Sequence, residues 1–215
     1  MSPDQRRAAI VDAALAVARQ KGLASTTVRD IARAMGSSSG LIHHYFGSMD
    51  DVLAAAFERV AAEDLRTTAR AVAAAADPTS GLIAFLRAYA PVSADWAFQL
   101  WLDAWSEAAR RPALRATSRR LNLAWQALME EIIRTGTAAG QFRCADPGPA
   151  AWRIMSLLDG LALQVVAHGT LIERTDMLAW TASAAEWELG LPPGSLAAAS
   201  ASPNTATRSA VADTV

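Results

Sequence analysis

The chain has one cysteine, Cys144, one lysine, Lys21, and three histidines in 215 residues. A lone thiol excludes an intrachain disulfide framework and leaves too few soft ligands for a structural zinc site, so Cys144 reads as a small loop or packing residue. Two of the histidines, His43 and His44, are adjacent, without the i, i+4 spacing of a helical metal pair. No uninterrupted apolar run reaches the ~18 to 20 residues of a membrane helix. The opening MSPDQRRAAIVDAAL carries charges in an amphipathic pattern rather than the layout of a signal peptide, which gives the expectation of a cytoplasmic chain. A P-loop, a GxGxxG after a strand and a GxSxG elbow are all missing, and nothing in the chain proposes a reaction. The expectation is therefore no catalytic residue, no metal and no cofactor.

Excess charge of one sign is lacking too. The net charge is -1, which at first argues against a nucleic-acid partner. Its distribution argues differently: residues 1–50 carry Arg6, Arg7, Arg19, Lys21, Arg29 and Arg33 against Asp4, Asp12, Asp30 and Asp50, so this end is mildly positive. A few cations aimed at phosphates supply non-specific DNA affinity without a basic protein overall, and dimerisation doubles them. All but one of the twenty basic residues are arginine and alanine is abundant, as in a GC-rich bacterial genome.

What is present begins with TTVRDIARAMGSSSGLIHHYF, Thr26 to Phe46. Val28, Ile31, Ala32 and Met35 fall at i, i+3, i+4 and i+7, one apolar stripe on a helix that Thr26 or Thr27 can cap and that should end at Gly36. A second short helix follows from about Ser38. Leu41, Ile42, Tyr45 and Phe46 can face inward there, leaving Ser39, Gly40, His43 and His44 outside. Two short helices around a glycine at this spacing make a helix-turn-helix, and a small, polar outer face suits the major groove. The same geometry also occurs in helical hairpins that never touch DNA. A preceding helix from about Asp4 to Lys21, with Ile10, Ala14, Val17 and Ala18 inward and Gly22 as its cap, completes a three-helix unit.

The segment AAIVDAALAVARQKGLASTTVRDIARAMGSSSGLIHHYFGSMDDVL resembles, without a gap, the DNA-binding domain of the TetR family of bacterial regulators. That resemblance implies an all-α fold of about nine helices. It further implies an effector-binding and dimerisation region after the helix-turn-helix, and a repressor released by a small molecule. Carried to matching positions, it assigns Thr27, Ser38, Tyr45 and Ser48 to phosphates and Ser39, Gly40, His43 and His44 to base edges, with Arg29 on the DNA side. Many family members have lysine where Met49 stands, so phosphate anchoring shifts to Tyr45, Ser48 and Thr27.

From Ser48, SMDD resembles a capping box, and Val52, Leu53, Ala56, Phe57, Val60 and Leu65 recur on one helical face. Breaks at 77–81, Pro91, Arg111-Pro112, 136–140 and 146–149 divide the remainder into helices of ordinary length, and no period-two strand signal stands out. The helix from Asp146-Pro147 to about Gly169 is apolar nearly all round and needs cover on both sides. The last, from about Thr175 to Leu189, aligns Met177, Trp180, Ala184 and Trp187. Such a pair can form a four-helix dimer interface, as in TetR-like proteins, or the core of a monomer. With what the resemblance implies, the chain divides into a helix-turn-helix domain at 1–47, an effector-binding and dimerisation domain at 48–190, and a tail at 191–215 whose Ala, Ser, Thr and Pro predict disorder.

Seven tryptophans is a high count, and Trp96, Trp101, Trp105, Trp125 and Trp152 fall in the central helices. Aromatic walls bind cations, although core packing accounts for tryptophans just as well. WAFQLWLDAWSEAARRPALRATSRRLNLAWQALMEEI, with the later LLDGLAL, resembles the family branch that includes the choline-responsive BetI repressors. Phe98, Trp101 and Trp105 share one helical face, whereas Trp96, Asp103 and Glu107 lie nearly opposite, where the two acids can simply meet solvent. Asp159, inside an apolar helix and on the stripe of Trp152, needs a partner: a cationic ligand, a backbone donor or a group across a dimer interface. The candidate effector set is thus Phe98, Trp101, Trp105, Trp125, Trp152 and Asp159. The expected partners are a palindromic duplex, a second copy of the chain and a cationic or hydrophobic small molecule. The alternatives are a helical small-molecule-binding protein without operator activity, and a ligand-dependent activator or co-repressor.

Overall fold

The computed structural model describes residues 2–89, 95–169 and 171–200. Among them are nine α-helices, a short 3-10 turn and no strand: α1 Pro3–Lys21, α2 Val28–Ala34, α3 Ser39–Tyr45, α4 Met49–Ala73, α5 Pro78–Tyr89, α6 Asp95–Ala108, α7 Pro112–Ala138, α8 Pro147–Val166 and α9 Arg174–Leu189, then Ala197–Ala199. No helix of the described residues is long and apolar enough to cross a membrane. The expected break at Pro91 and residues 201–215 of the expected tail lie outside the described residues.

The first three helices start and stop where their sequence chemistry directs. Ser2 and Gln5 cap α1 reciprocally, and the chain leaves it at Gly22 with φ 82°, a conformation that favours glycine. Thr27 accepts the Asp30 N–H while the Asp30 carboxylate accepts the Thr27 N–H, closing the start of α2. Ile10, Ala14, Ile31, Ile42 and Phe46 fill a small core that α4 closes from below with Val52 and Ala56.

A second cluster lies at the junction. Ala18 and Leu23 meet Leu53, Phe57 and Ala61 of α4, together with Leu100, Ala104, Leu114 and Leu121 of α6 and α7. One helix, α4, therefore serves both cores, with Val52 and Ala56 on one stripe and Leu53, Phe57 and Ala61 on the next. The third and largest cluster joins α5, α7, α8 and α9 through Leu82, Phe85, Met129, Ile133, Ile154, Leu158 and Met177. Among the glycines, packing is tightest at Gly136, where a Cβ would lie 2.2 Å from the Phe142 ring.

Two expectations need correction. The tail does not begin at residue 191. The buried Glu186 carboxylate accepts the Gly194 and Leu196 N–H groups at 2.9 and 2.7 Å, and the Arg87 guanidinium donates to the Ala198 carbonyl at 2.9 Å. Leu196 and Ala199 are buried against α5 and α9, so two apolar side chains and one buried acid hold a segment whose composition suggests disorder. On α9, Met177 does not share the face of Trp180 and Trp187: it is buried, whereas they are 50% and 89% exposed. An eighty-degree stripe is wide enough for its edge residue to turn into the core.

A helix-turn-helix head and an aromatic cavity

The helix α3 owes its presentation to what lies behind it. Ile42 and Phe46 are buried, Leu41 and Tyr45 half-buried, and Ser38, Gly40, His43 and His44 exposed, with Ser39 between. The outer face is thus small and polar along its whole length. Ser38 caps α3 by position but makes no side-chain hydrogen bond there, which leaves its hydroxyl available. Thr27 is exposed but committed: its hydroxyl donates to Asp30 at 2.5 Å and accepts the Asp30 N–H. The Ser48 hydroxyl likewise donates to Asp51 at 2.8 Å while accepting its N–H, so SMDD is a half-box that opens α4. Lys21 joins the Thr27 end by an ion pair with Asp30, whose carboxyl is held at about 2 by the Lys21 hydrogen bond first and Thr27 second. Arg29 is exposed on α2.

One basic side chain went unassigned in the sequence. Arg7 donates to the Tyr45 carbonyl at 2.6 Å and lies 4.0 Å over the Phe46 ring, fixing the C-terminal end of α3 from the first turns of α1. Its signal was only one arginine among several near the start of the chain, and the contact spans 38 residues.

The body holds a cavity of about 260 Å³ whose wall includes Asp64, Tyr89, Phe98, Trp101, Trp125 and Arg174. Three of the six sequence candidates, Phe98, Trp101 and Trp125, are brought together there. Trp105 stands behind them, edge-on to Phe98 at 6.2 Å and 5.6 Å from Trp101, outside the lining. Trp152 is a correction: it is 39% exposed on the outer side of α8 and lies outside the lining of this cavity. Asp159 does find the partner that its buried position demands. It accepts the Tyr89 hydroxyl just outside the lining; burial raises its pKa, and burial with the neighbouring carboxylate raises that of Tyr89 well above the ordinary value. Burial lowers the pKa of Arg174.

Asp64 is the cavity residue that the sequence reading missed. It follows Phe57 and Ala61 and precedes Thr68 on one stripe, and those three are buried, so the same periodicity carried two turns further places a carboxylate on the inward face. Burial is the first cause that raises its pKa, the adjacent Glu63 the second.

The far side of α6 faces the head. Asp103 accepts the Leu23 N–H at 2.8 Å and the Gln99 amide at 3.0 Å, and Arg19 lies 3.9 Å over the Trp96 ring. Neither acid of this face simply meets solvent, since Glu107 is half-buried and paired with Arg111 at 2.9 Å. Asp50, at the start of α4, accepts the Ala113 and Leu114 N–H groups at 2.8 and 3.2 Å and so caps α7 from the head side. One helix therefore touches the cavity with Phe98 and Trp101 and the head with Trp96 and Asp103.

A helix-turn-helix head mounted on a helical body of this kind defines a DNA-binding transcriptional regulator, and the family matches agree. Residues 10–56 match the model of bacterial regulatory proteins of the tetR family, and residues 78–190 match that of the C-terminal region of BetI-type transcriptional repressors. The HTH-type transcriptional regulator BetI of Paraburkholderia phymatum is 39% identical over 172 residues, covering 76% of this chain and 83% of the relative. A transcriptional regulator from Saccharomonospora viridis, solved in complex with choline, superposes with a TM-score of 0.75 at 25% identity, covering 83% of this chain and 94% of that one. A TetR regulator from Haloarcula marismortui shares the fold at TM-score 0.77 and 21% identity, covering 86% and 99%. The chain belongs to the TetR family, in its BetI-type branch, and the relatives are regulators rather than enzymes.

Proposed function

We propose that the protein is a homodimeric repressor whose hold on a palindromic operator is released when a small molecule enters the aromatic cavity. The observation that carries this reading is the double-sided α6: a ligand that displaces Phe98 or Trp101 acts on the helix that also holds Leu23 through Asp103 and stacks Trp96 under Arg19. Release then equals the difference in the ligand's affinity for the two arrangements of the head.

In this reading the DNA-binding unit is 1–47 and the effector and dimerisation unit is 48–190, with α4 shared between their cores. Ser38, Tyr45, Ser48, Thr27 and Arg29 hold phosphates, and Ser39, Gly40, His43 and His44 lie against base edges. Thr27 and Ser48, whose hydroxyls already serve caps, act chiefly by position, and Ser38 has the freer hydroxyl.

The dimer face is the outer side of α8 and α9, where Trp152, Leu157, Trp180 and Trp187 are all exposed. Exposed indoles in such number on one pair of helices mark a surface that a partner covers. A twin copy there brings two α3 helices to one duplex, which one helix alone binds weakly.

The cavity volume lies at the small end of ligand sites, and its wall is aromatic with a carboxylate, which suits a compact molecule bearing a cation and apolar groups. The choline complex of the Saccharomonospora viridis regulator supports the same class. Fluorescence anisotropy of the full chain on duplex from around its own gene, against random duplex, tests the reading. Selective binding that choline weakens is expected, and equal affinity for every duplex, including a selected random library, overturns it.

A further inference from the structure

The cavity wall holds an acceptor and a donor that the protein itself leaves without a partner. The Asp64 carboxylate lines the cavity and takes part in no hydrogen bond or ion pair of the described residues. Trp125 is 5% exposed, lines the same cavity, and its indole N–H has no hydrogen-bond partner. Buried donors and acceptors are almost always paired, because each unpaired one loses water without compensation. The buried Trp125 N–H is such an exception, and together with the half-buried Asp64 carboxylate in the same wall it points to a molecule that supplies both partners.

Asp159 is not in this position. Its carboxylate already accepts the Tyr89 hydroxyl, and Tyr89 in turn packs edge-on against Trp125 at 5.2 Å. The Tyr89–Asp159 pair thus shapes the wall, and its charge is engaged. The Phe85 ring meets Trp125 edge-on at 5.6 Å as well.

Resting on the effector reading above, we propose that Asp64 and Trp125 are the two polar specificity determinants of the cavity. Asp64 receives the ligand's onium charge, and the Trp125 indole N–H donates to an oxygen of the same ligand, with Phe98 and Trp101 covering the apolar faces. The ligand is then a small ammonium compound that also carries a hydroxyl or carbonyl oxygen. A cation without the oxygen, or a neutral alcohol of the same shape, meets only half of the site.

The test is a set of calorimetric titrations of the full-length protein and its Asp64→Asn and Trp125→Phe variants with three probes: choline, ethyltrimethylammonium, and 3,3-dimethylbutan-1-ol, which keeps the shape and hydroxyl but replaces nitrogen by carbon. Circular dichroism checks that each variant retains its helices. Asp64→Asn should weaken both cations about tenfold or more and the neutral alcohol by less than about twofold, the range expected for a charge-assisted contact. Trp125→Phe should weaken choline about threefold to tenfold more than ethyltrimethylammonium, since only choline offers the oxygen. An equal loss on all three probes in either variant reduces that residue to packing and overturns its role. Unchanged choline binding in Asp64→Asn, with the loss appearing instead in Asp159→Asn, moves the charge to Asp159 and overturns the proposal while the effector reading stands. If the unmodified protein binds no probe, the effector class itself falls.

Discussion

Gly40 in the head and Gly136 in the body both sit inside helices, for opposite reasons. A Cβ on Gly136 would strike the Phe142 ring at 2.2 Å, while one on Gly40 would meet nothing closer than the Ser38 hydroxyl oxygen at 3.7 Å. At Gly136 the body uses glycine because its own packing leaves no space. The folded head has room to spare at Gly40, so its own packing does not call for glycine there. The same contrast runs through the two regions. The head displays separate exposed groups on one seven-residue helix, and the body conceals its polar groups in a wall built from helices far apart in sequence.

Substitutions at the two glycines are the strongest way to break that contrast. Gly136→Ala should cost about 1–3 kcal/mol or more of stability through overpacking, seen as a lowered midpoint in thermal denaturation. Gly40→Ala should leave that midpoint unchanged or raise it, since alanine favours a helix over glycine by about 0.5–1 kcal/mol, and yet weaken operator binding. Loss of stability at Gly40 would show that the head, too, is limited by its own packing.

Next in size is the link between the regions. Asp103→Ala leaves the Leu23 N–H without its acceptor, at a cost of about 1–3 kcal/mol, and should reduce the effect of choline on DNA affinity more than it reduces DNA affinity itself. Anisotropy with and without choline reads both quantities.

Within the head, His43→Ala should lose about 1–3 kcal/mol of discrimination among operator bases, whereas Tyr45→Phe should weaken specific and random duplexes alike. Equal losses from His43→Ala on both duplexes would remove it from base reading.

The smallest effect is with pH, and its sign separates the regions. The Asp30 carboxyl is lowered from 3.8 to about 2 in the folded head, so its contribution to stability is complete above 3.8 and is lost as pH falls towards 2. Asp64 and Asp159 are raised by burial, so their contribution falls as pH rises from 3.8 through their folded values. Amide shifts at Thr27 and Asp30 should therefore change only in strong acid, while cavity amides should respond at higher pH.

The head was legible because its chemistry is local. The stripe Val28, Ile31, Ala32, Met35 and the turn at Gly36 lie within ten residues, and the outer face of α3 follows from what its inner face buries. The cavity was half legible. Helical phase separated Phe98 and Trp101 from Trp96 and Asp103, but whether a tryptophan turns inward depends on partners elsewhere, which is why Trp152 proved to be on the surface. Asp64 lies on a readable stripe of α4, where helical period and not aromatic count marks the inward face. The folded segment after Leu191 was hidden because its anchor, Glu186, is an acid inside the preceding helix.

If cavity and head are one coupled system, linkage makes the dissociation constant of choline, measured on the free protein and on protein saturated with operator duplex, the decisive quantity. Choline binding should be weaker on the operator, by the same factor by which choline weakens operator binding. A choline affinity unchanged by operator would contradict it.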